Sequence, residues 1–161
     1  MKKTHLTDTR FINLELSKSI LKGLQDAGFD QCSPIQEQSL PIALRDRDVA
    51  GQAQTGTGKT ASFLLAVFHR LLNDNSEKKK YPRAIILAPT RELAIQIHKD
   101  ALLLGKHLGF NLALIYGGTD YQKQLKAVQG NVDIIIATPG RIIDFYRQKA
   151  FSLDNIQVMV L

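Results

Sequence analysis

The sequence predicts an α/β fold in which a parallel sheet carries helices on both faces. Short apolar runs alternate along the chain with longer segments of helical periodicity, which is the pattern of strands joined by helical crossovers. Such crossovers are right-handed and pack their helices against the sheet. The chain has 161 residues, 44% of them hydrophobic and 22% charged. This is enough apolar material for one core without disulfides or metals.

The first elements are helices with clear end signals. Ser17 is placed to cap a helix whose apolar positions include Ile20 and Leu24, and Gly28 is placed to end it. Ser33 and Pro34 begin a second helix, which Pro41 either ends or kinks.

The later elements alternate between strands and helices. The predicted strands cover 48–52, 84–88, 111–116, 132–137 and 156–161. The predicted helices between them cover 58–72, 90–108, 121–128 and 139–149. The first strand is weakly apolar and is predicted mainly from the glycine-rich loop after it. Residues 73–81 contain three lysines and predict an exposed loop.

The composition excludes several classes of protein. No apolar run approaches the roughly 18 residues of a membrane-spanning helix, and the start is too polar for a signal peptide. We therefore expect a cytoplasmic protein with no membrane partner. Cys32 is the only cysteine, which excludes an internal disulfide and fits a reducing compartment. The four histidines have no ligand spacing with one another or with Cys32, so we expect no structural metal.

The charge balance is basic. Lysine and arginine number 21 against 15 aspartates and glutamates, a net charge of +6. This surplus is compatible with a nucleic-acid partner, but an ordinary basic enzyme fits it equally well.

A glycine-rich loop follows the first predicted strand. It reads Ala53, Gln54, Thr55, Gly56, Thr57, Gly58, Lys59 and Thr60, a P-loop with alanine in place of the usual first glycine. The glycines let the backbone form a concave row of N–H donors at a helix N-terminus, where phosphates are stabilised. We expect Lys59 to reach the β- and γ-phosphates of a nucleotide and the Thr60 hydroxyl to bind Mg²⁺, which makes both candidate catalytic residues. The alternative is a chance glycine-rich turn.

Three further loops follow predicted strands, at the sheet edge where α/β proteins bind ligands. We call 89–93, 116–119 and 138–141 the strand-end loops. Their candidate RNA-binding residues are Pro89, Thr90, Arg91, Gly117, Gly118, Thr138, Pro139, Gly140 and Arg141. Helix capping by itself explains the threonines and Pro139. With the P-loop on the same edge, however, the three loops suggest a binding surface for a longer polyanion.

Gln36 has two interpretations. Ser33 to Gln36 fits a capping box, in which Gln36 accepts a hydrogen bond from the backbone N–H of Ser33. Alternatively, the carboxamide donates to and accepts from the N6 and N7 edge of adenine. The spacing alone does not separate the two.

Taken in order, these motifs resemble the amino-terminal RecA-like domain of DEAD-box ATP-dependent RNA helicases, over nearly the whole chain from residue 11 to 161. Phe11, Phe29, Ser33 and Gln36 resemble the family's Q motif, and residues 53–60 its motif I. The strand-end loops resemble motif Ia, the family's double glycine and motif Ib.

The resemblance implies a P-loop NTPase fold and an RNA-stimulated ATPase that separates short RNA duplexes. It implies that Phe29 stacks on adenine, that Gln36 recognises it, and that the P-loop holds ATP with Mg²⁺. The strand-end loops would bind one RNA strand. Residues 3–7, Phe68, His69 and 116–125 are most similar to a bacterial branch that works with an RNA-degrading machinery, which is then a partner.

The domain organisation follows from the same resemblance. We predict a Q-motif region with amino-terminal helices over 1–37 and a partial RecA-like ATP-binding domain over 38–161. The Asp-Glu-Ala-Asp motif that names the family, with its Mg²⁺-holding and water-activating carboxylates, does not occur in the sequence. The second RecA-like domain is absent too. We therefore expect a fragment truncated before that motif, without ATPase or unwinding activity of its own.

Two other function classes stay open. A small P-loop kinase would require an arginine-rich lid and a compact acceptor pocket, whereas this chain offers loops spread along a sheet edge. A nucleotide- and RNA-binding module without turnover would describe the chain but gives no reason for a complete P-loop.

Overall fold

The computed structural model describes residues 6–74 and 81–161. The segments 3–5 and 78–80, which contribute to the resemblance and to the predicted lysine-rich loop, lie outside these ranges. The chain forms two compact units. The described residues up to Asn73 make the first unit together with Leu103–Leu108, and Asp74–Leu102 with Gly109–Leu161 make the second. The predicted boundary at residue 37 stays a prediction.

The first unit is helical in its described part. After a 3-10 turn at Phe11–Asn13 come α1 (Lys18–Asp26), α2 (Pro34–Ala43) and α3 (Lys59–Asn73). The hydroxyl of Ser17 accepts a hydrogen bond from the backbone N–H of Ile20 at 3.3 Å and so caps α1. Gly28 follows α1 with a φ of +77°, a left-handed conformation that glycine adopts without a Cβ clash.

Helix α2 continues through Pro41 as far as Ala43. Both α1 and α2 pack against α3. Their fully buried apolar residues include Ile20, Leu24, Leu40, Leu64 and Phe68. Burial of this apolar surface is what stabilises the unit.

The second unit contains a parallel sheet with the strand order β2-β3-β1-β4. Its elements are β1 (Ala84–Leu87), α4 (Arg91–Leu104), β2 (Leu112–Ile115), α5 (Tyr121–Gln129), β3 (Ile134–Ala137), α6 (Pro139–Arg147) and β4 (Val158–Val160). The last two residues of α4 belong to the first unit.

The second unit confirms the predicted α/β class with a parallel sheet. The central strand β3 is buried along its whole length, as expected for a sheet covered on both faces. Buried residues of α5 and α6, including Val128 and Phe145, form one core with Ile85 and Ile135 of the sheet. The connection from β1 to β2 runs along the sheet in the opposite direction to the two later connections. Right-handed crossovers therefore put α4 on the other face.

One predicted element is wrong. Residues 48–52 form no strand, and no ladder partner for them exists within 6–74 and 81–161. The physical reason is the weak apolar content of this segment. Val49 is 41% exposed, and its neighbours Asp48, Ala50, Gly51 and Gln52 are charged, small or polar, so little apolar surface is available to hold the segment in a sheet.

Among the helices of the described ranges, none combines the length and the apolar character that crossing a membrane requires.

Candidate functional site

The glycine-rich loop lies in the first unit, directly before α3. Gly56 and Gly58 have φ values of +79° and +92°, which side-chain-bearing residues rarely adopt. Gly58 is also crowded, because a Cβ there would lie 2.4 Å from Nε2 of Gln36. The conformation therefore favours glycine at position 58, and a Cβ there would in addition displace the Gln36 side chain.

Lys59 places its charge over this loop. Its ammonium donates to the carbonyl oxygen of Gln54 at 2.6 Å and to that of Ala53. The hydroxyl of Thr57 donates to the same Gln54 carbonyl at 2.7 Å. Thr60 follows as the second residue of α3 and is half-buried. A cation, left-handed glycines and a helix N-terminus are the combination that binds phosphate groups.

Gln36 connects α2 to the loop. Its Oε1 accepts from the backbone N–H of Ser33 at 2.8 Å, which is the bond that the capping-box interpretation predicts. Its Nε2 donates to the carbonyl oxygen of Gly58 at 3.1 Å, and the hydroxyl of Ser33 donates to the carbonyl oxygen of Thr57 at 2.7 Å. Two side chains at the start of α2 thus hold the end of the P-loop.

The observed bonds of Gln36 are compatible with an adenine contact but do not demonstrate one. A carboxamide has two N–H groups and two acceptor lone pairs. Its hydrogen bonds to Ser33 and Gly58 leave one N–H and one lone pair unused. These are the groups that would donate to N7 and accept from N6 of adenine. Gln36 is only 2% exposed, so little of its carboxamide surface is open to a base in this structure.

Two aromatic residues of the predicted Q motif contact each other. The rings of Phe11 and Phe29 meet edge to face, with centroids 6.3 Å apart. Phe11 is buried, whereas Phe29 is 37% exposed. The buried ring therefore supports an exposed one, which is available for stacking.

The strand-end loops lie in the second unit. The register pairs Leu87 of β1 and Ile115 of β2 with Ala137 of β3, so the loops that follow these strands begin at one sheet edge. Most of their candidate residues are exposed, namely Pro89, Thr90, Arg91, Gly117, Gly118, Pro139 and Gly140. Neighbouring strands β1 and β3 lead into helices on opposite faces, which is the topology at which open α/β sheets bind ligands.

Helix capping explains one of the two threonines. The hydroxyl of Thr90 accepts from the backbone N–H of Leu93 at 3.2 Å, as a helix cap does. Thr138 precedes α6 but makes no such side-chain bond. Capping therefore accounts for Thr90 and leaves the hydroxyl of Thr138 available for another role.

Aromatic rings position both candidate arginines. The guanidinium of Arg91 lies over the ring of Tyr116 at 4.9 Å, and that of Arg141 lies over Tyr121 at 5.0 Å. Arg141 also contacts the ring of Phe145, one turn further along α6, at 5.7 Å. Contacts of this kind restrain a flexible cation without neutralising it.

The support of the arginines by these aromatic residues was not predicted from the sequence. The available signal for Phe145 was its spacing of four from Arg141, which brings two side chains together on a helix. Tyr121 is distant from Arg141 in sequence, so no local pattern indicates that contact. Within the described ranges, the hydroxyl of Tyr121 and Nη1 of Arg141 are buried and have no hydrogen-bond partner.

Potential metal ligands and the thiol show no site of their own. The described ranges contain no cluster of three or more His, Cys, Asp or Glu side chains.

Cys32 is fully buried, and that burial, with a smaller effect of Glu37, raises the pKa of its thiol to about 11. A protonated buried thiol is a packing residue rather than a nucleophile.

Comparisons with known proteins agree on one family. A sequence model described as "DEAD/DEAH box helicase" matches residues 33–161. An ATP-dependent RNA helicase RhlB from Pseudoalteromonas atlantica is 56% identical over 161 residues, which are 100% of this chain and 38% of the relative. A protein of the same name from Xanthomonas oryzae is 56% identical over 160 residues, covering 97% of this chain and 28% of the relative.

A solved structure gives the same result. The crystal structure of a DEAD box protein from the hyperthermophile Methanococcus jannaschii superposes with a TM-score of 0.82 at 36% sequence identity. The match covers 91% of this chain and 39% of that one. The chain thus spans less than half the length of these relatives.

Proposed function

The chain belongs to the DEAD/DEAH box helicase family, and we propose that it is the nucleotide- and RNA-binding part of an ATP-dependent RNA helicase. In this proposal the whole protein is an RNA-stimulated ATPase that separates short RNA duplexes. The observation that carries it is the geometry of the P-loop, where Lys59 lies over left-handed glycines that Gln36 and Ser33 hold from α2.

The proposal gives each nucleotide-site residue a role. Lys59 exchanges its two carbonyl partners for phosphate oxygens, and the backbone N–H groups of the loop bind the remaining phosphate charge. Phe29 stacks on the adenine ring, and Gln36 uses its free N–H and lone pair to recognise it. Mg²⁺ would neutralise phosphate charge, and the hydroxyl of Thr60 is the ligand that we assign to it.

The strand-end loops form the RNA site in this proposal. Their exposed backbone, the free hydroxyl of Thr138 and the two ring-supported arginines offer donors to phosphate and sugar groups. Such contacts do not depend on base identity, so binding shows little sequence preference.

The nucleotide site is tested by calorimetric titration with ADP. Lys59→Ala removes the phosphate-binding charge and should weaken ADP binding by roughly tenfold or more, since a charged hydrogen bond contributes about 1.5–3 kcal/mol. Lys22→Ala, at an exposed position of α1, is the control and should bind ADP as the unmodified chain does. Equal binding by the Lys59 variant would remove the nucleotide site from the proposal.

The RNA site has its own test in a titration with fluorescent single-stranded RNA. Arg141→Ala should weaken binding about threefold to tenfold, since one charge-assisted contact to phosphate is lost. Arg147→Ala changes an exposed arginine of the same helix and serves as the matched control. If both variants lose the same affinity, diffuse attraction by the net charge explains binding and the RNA site fails.

The proposal also includes a cytoplasmic location and work with an RNA-degrading machinery. Its support is the resemblance of residues 3–7 and 116–125 to that bacterial branch, and the match of this whole chain to 38% of the length of relatives named RhlB. Co-purification of ribonucleases with the tagged protein from a bacterial lysate checks the partner, and their absence argues against it.

A further inference from the structure

We propose that Gln124 is a positioning residue for RNA binding, which fixes the double-glycine loop and, through Tyr116, the guanidinium of Arg91. The inference rests on the proposed function, since it concerns the RNA site assigned to the strand-end loops. Gln124 lies outside those loops, in α5.

Gln124 is a polar side chain in a buried position. It is 9% exposed, whereas Gln122 in the same helix is exposed. Burial of a carboxamide is unfavourable unless its donors and acceptors find partners. Its location therefore requires an explanation in terms of the groups that it binds.

The partners of Gln124 all belong to the loop after β2. Its Oε1 accepts from the backbone N–H of Tyr116 at 2.9 Å, and its Nε2 donates to the backbone carbonyl of the same residue at 3.0 Å. The second N–H of Nε2 donates to the hydroxyl of Thr119. The carboxamide thus bonds both ends of the loop and encloses Gly117 and Gly118 between its partners.

Gln124 provides hydrogen-bond partners for the backbone of the double-glycine loop without covering the surface of the two glycines. Gly117 and Gly118 are exposed, and a Cβ at Gly117 would meet no atom within 4 Å. Side-chain hydrogen bonds from below leave the outer side of the glycines open to a sugar-phosphate backbone. Gln124 therefore acts without contacting RNA itself.

The same bonds reach Arg91. Tyr116, whose main chain Gln124 holds, carries the ring under the Arg91 guanidinium at 4.9 Å. A Cβ built on Gly118 would lie 3.6 Å from Nη1 of Arg91. The position of the loop is thus coupled to that of Arg91. A shift of Tyr116 moves the ring on which the Arg91 guanidinium rests.

The test uses Gln124→Glu, which keeps the shape of the side chain but removes both donors. Gln124→Leu removes all four hydrogen-bonding sites and provides a second variant. Gln122→Glu and Gln122→Leu are the matched controls at an exposed position of α5. Each variant is titrated with single-stranded RNA and with ADP, and its melting temperature is measured.

We expect RNA affinity to fall about fivefold to tenfold in the Gln124 variants, with ADP affinity unchanged and the Gln122 controls normal. Combining Gln124→Glu with Arg91→Ala separates positioning from plain stabilisation. If part of the effect of Gln124 passes through Arg91, its substitution costs less RNA affinity in the Arg91→Ala background than in the unmodified chain, because coupled residues are not additive.

Two results would overturn the inference while leaving the proposed function intact. One is normal RNA affinity in the Gln124→Glu variant although Arg91→Ala weakens binding; the other is an additive double variant. If the unmodified chain binds ADP but no RNA, the RNA half of the proposed function fails and the inference fails with it.

Discussion

Gln36 shows that a structural role and a ligand-binding role use different atoms of one side chain. One lone pair and one N–H serve Ser33 and Gly58 inside the first unit. The other lone pair and N–H have no partner among these bonds, and the proposed adenine contact uses them. The capping box and the adenine interpretation, which compete in the sequence, are therefore compatible in the structure.

A substitution of Gln36 separates these two uses. Gln36→Glu still accepts from the Ser33 N–H, but its carboxylate faces the Gly58 carbonyl without a donor. We expect ADP affinity to fall by about tenfold or more, because the N–H that the proposal gives to adenine is lost. The effect on the melting temperature should be smaller, because the capping bond to Ser33 is kept. Gln38→Glu, at an exposed position of the same helix, is the control. A large loss of stability with normal ADP binding would make Gln36 purely structural.

The two P-loop glycines provide a second prediction at this scale. A Cβ at Gly56 would meet no atom within 4 Å. Gly56→Ala should therefore lower the free energy of unfolding only by the cost of a left-handed backbone, about 1–2 kcal/mol. Gly58→Ala has that cost and also a Cβ 2.4 Å from Nε2 of Gln36. Urea unfolding should therefore show a larger loss for Gly58→Ala than for Gly56→Ala. Equal losses would mean that the contact with Gln36 relaxes freely.

At the scale of elements, the helices were predictable because their end signals are local. Ser17, Ser33 and Gly28 act on neighbouring backbone groups. The observed α1 and α2 begin directly after Ser17 and Ser33, and α1 ends just before Gly28. The strands 84–88, 111–116, 132–137 and 156–161 were predictable as apolar runs, and each contains an observed strand. The strand at 48–52 was inferred from its neighbour rather than from its own apolar content, which explains the error.

Contacts between distant segments could not be predicted from local patterns. Gln36 to Gly58, Arg141 to Tyr121 and Gln124 to Tyr116 depend on how the chain packs, and periodicity carries no information about it. The site motifs could be identified from the sequence because the residues of a P-loop or of a helix cap lie within a few positions of one another. The sequence could not identify the side chains that hold those motifs in place.

Helix α1 provides a prediction about packing. A Cβ at Gly23 would lie 2.1 Å from the carbonyl oxygen of Leu104, a backbone atom that cannot rotate away. Alanine favours a helix over glycine by about 1 kcal/mol, but overpacking costs about 1–3 kcal/mol, and we expect the clash to dominate. Gly23→Ala should thus lower the free energy of unfolding in urea. Lys22→Ala, exposed in the same helix, should change it by less than about 0.5 kcal/mol, and a stabilised Gly23 variant would contradict the packing.

At the scale of the whole molecule, the candidate sites fall in different compact units. The P-loop, Gln36 and Phe29 belong to the first unit, and the strand-end loops belong to the second. The net charge of +6 is a property of the entire chain and attracts any polyanion. A specific RNA site must therefore be distinguished from this general attraction.

Salt dependence makes the distinction. Each phosphate contact adds a slope of about 0.7 to the fall of log affinity with log salt on a single strand. We expect a shallow slope for the unmodified chain. The slope should be smaller by about 0.7 in Arg91→Ala and, separately, by about 0.7 in Arg141→Ala. Replacing the three lysines 78–80 by alanine should change affinity less than either arginine variant. A larger loss in the lysine variant would mean diffuse binding.

The central claim is that this chain binds an adenine nucleotide through a P-loop held by Gln36. The most direct measurement is a calorimetric titration of the unmodified chain with ADP and with GDP under the same conditions. We predict that ADP binds roughly tenfold more tightly. Guanine carries the acceptor O6 where adenine carries the N6–H donor, so the bond to Oε1 of Gln36 is lost and two acceptor oxygens face each other, while N7 accepts in both bases. Equal affinity for ADP and GDP would contradict the account.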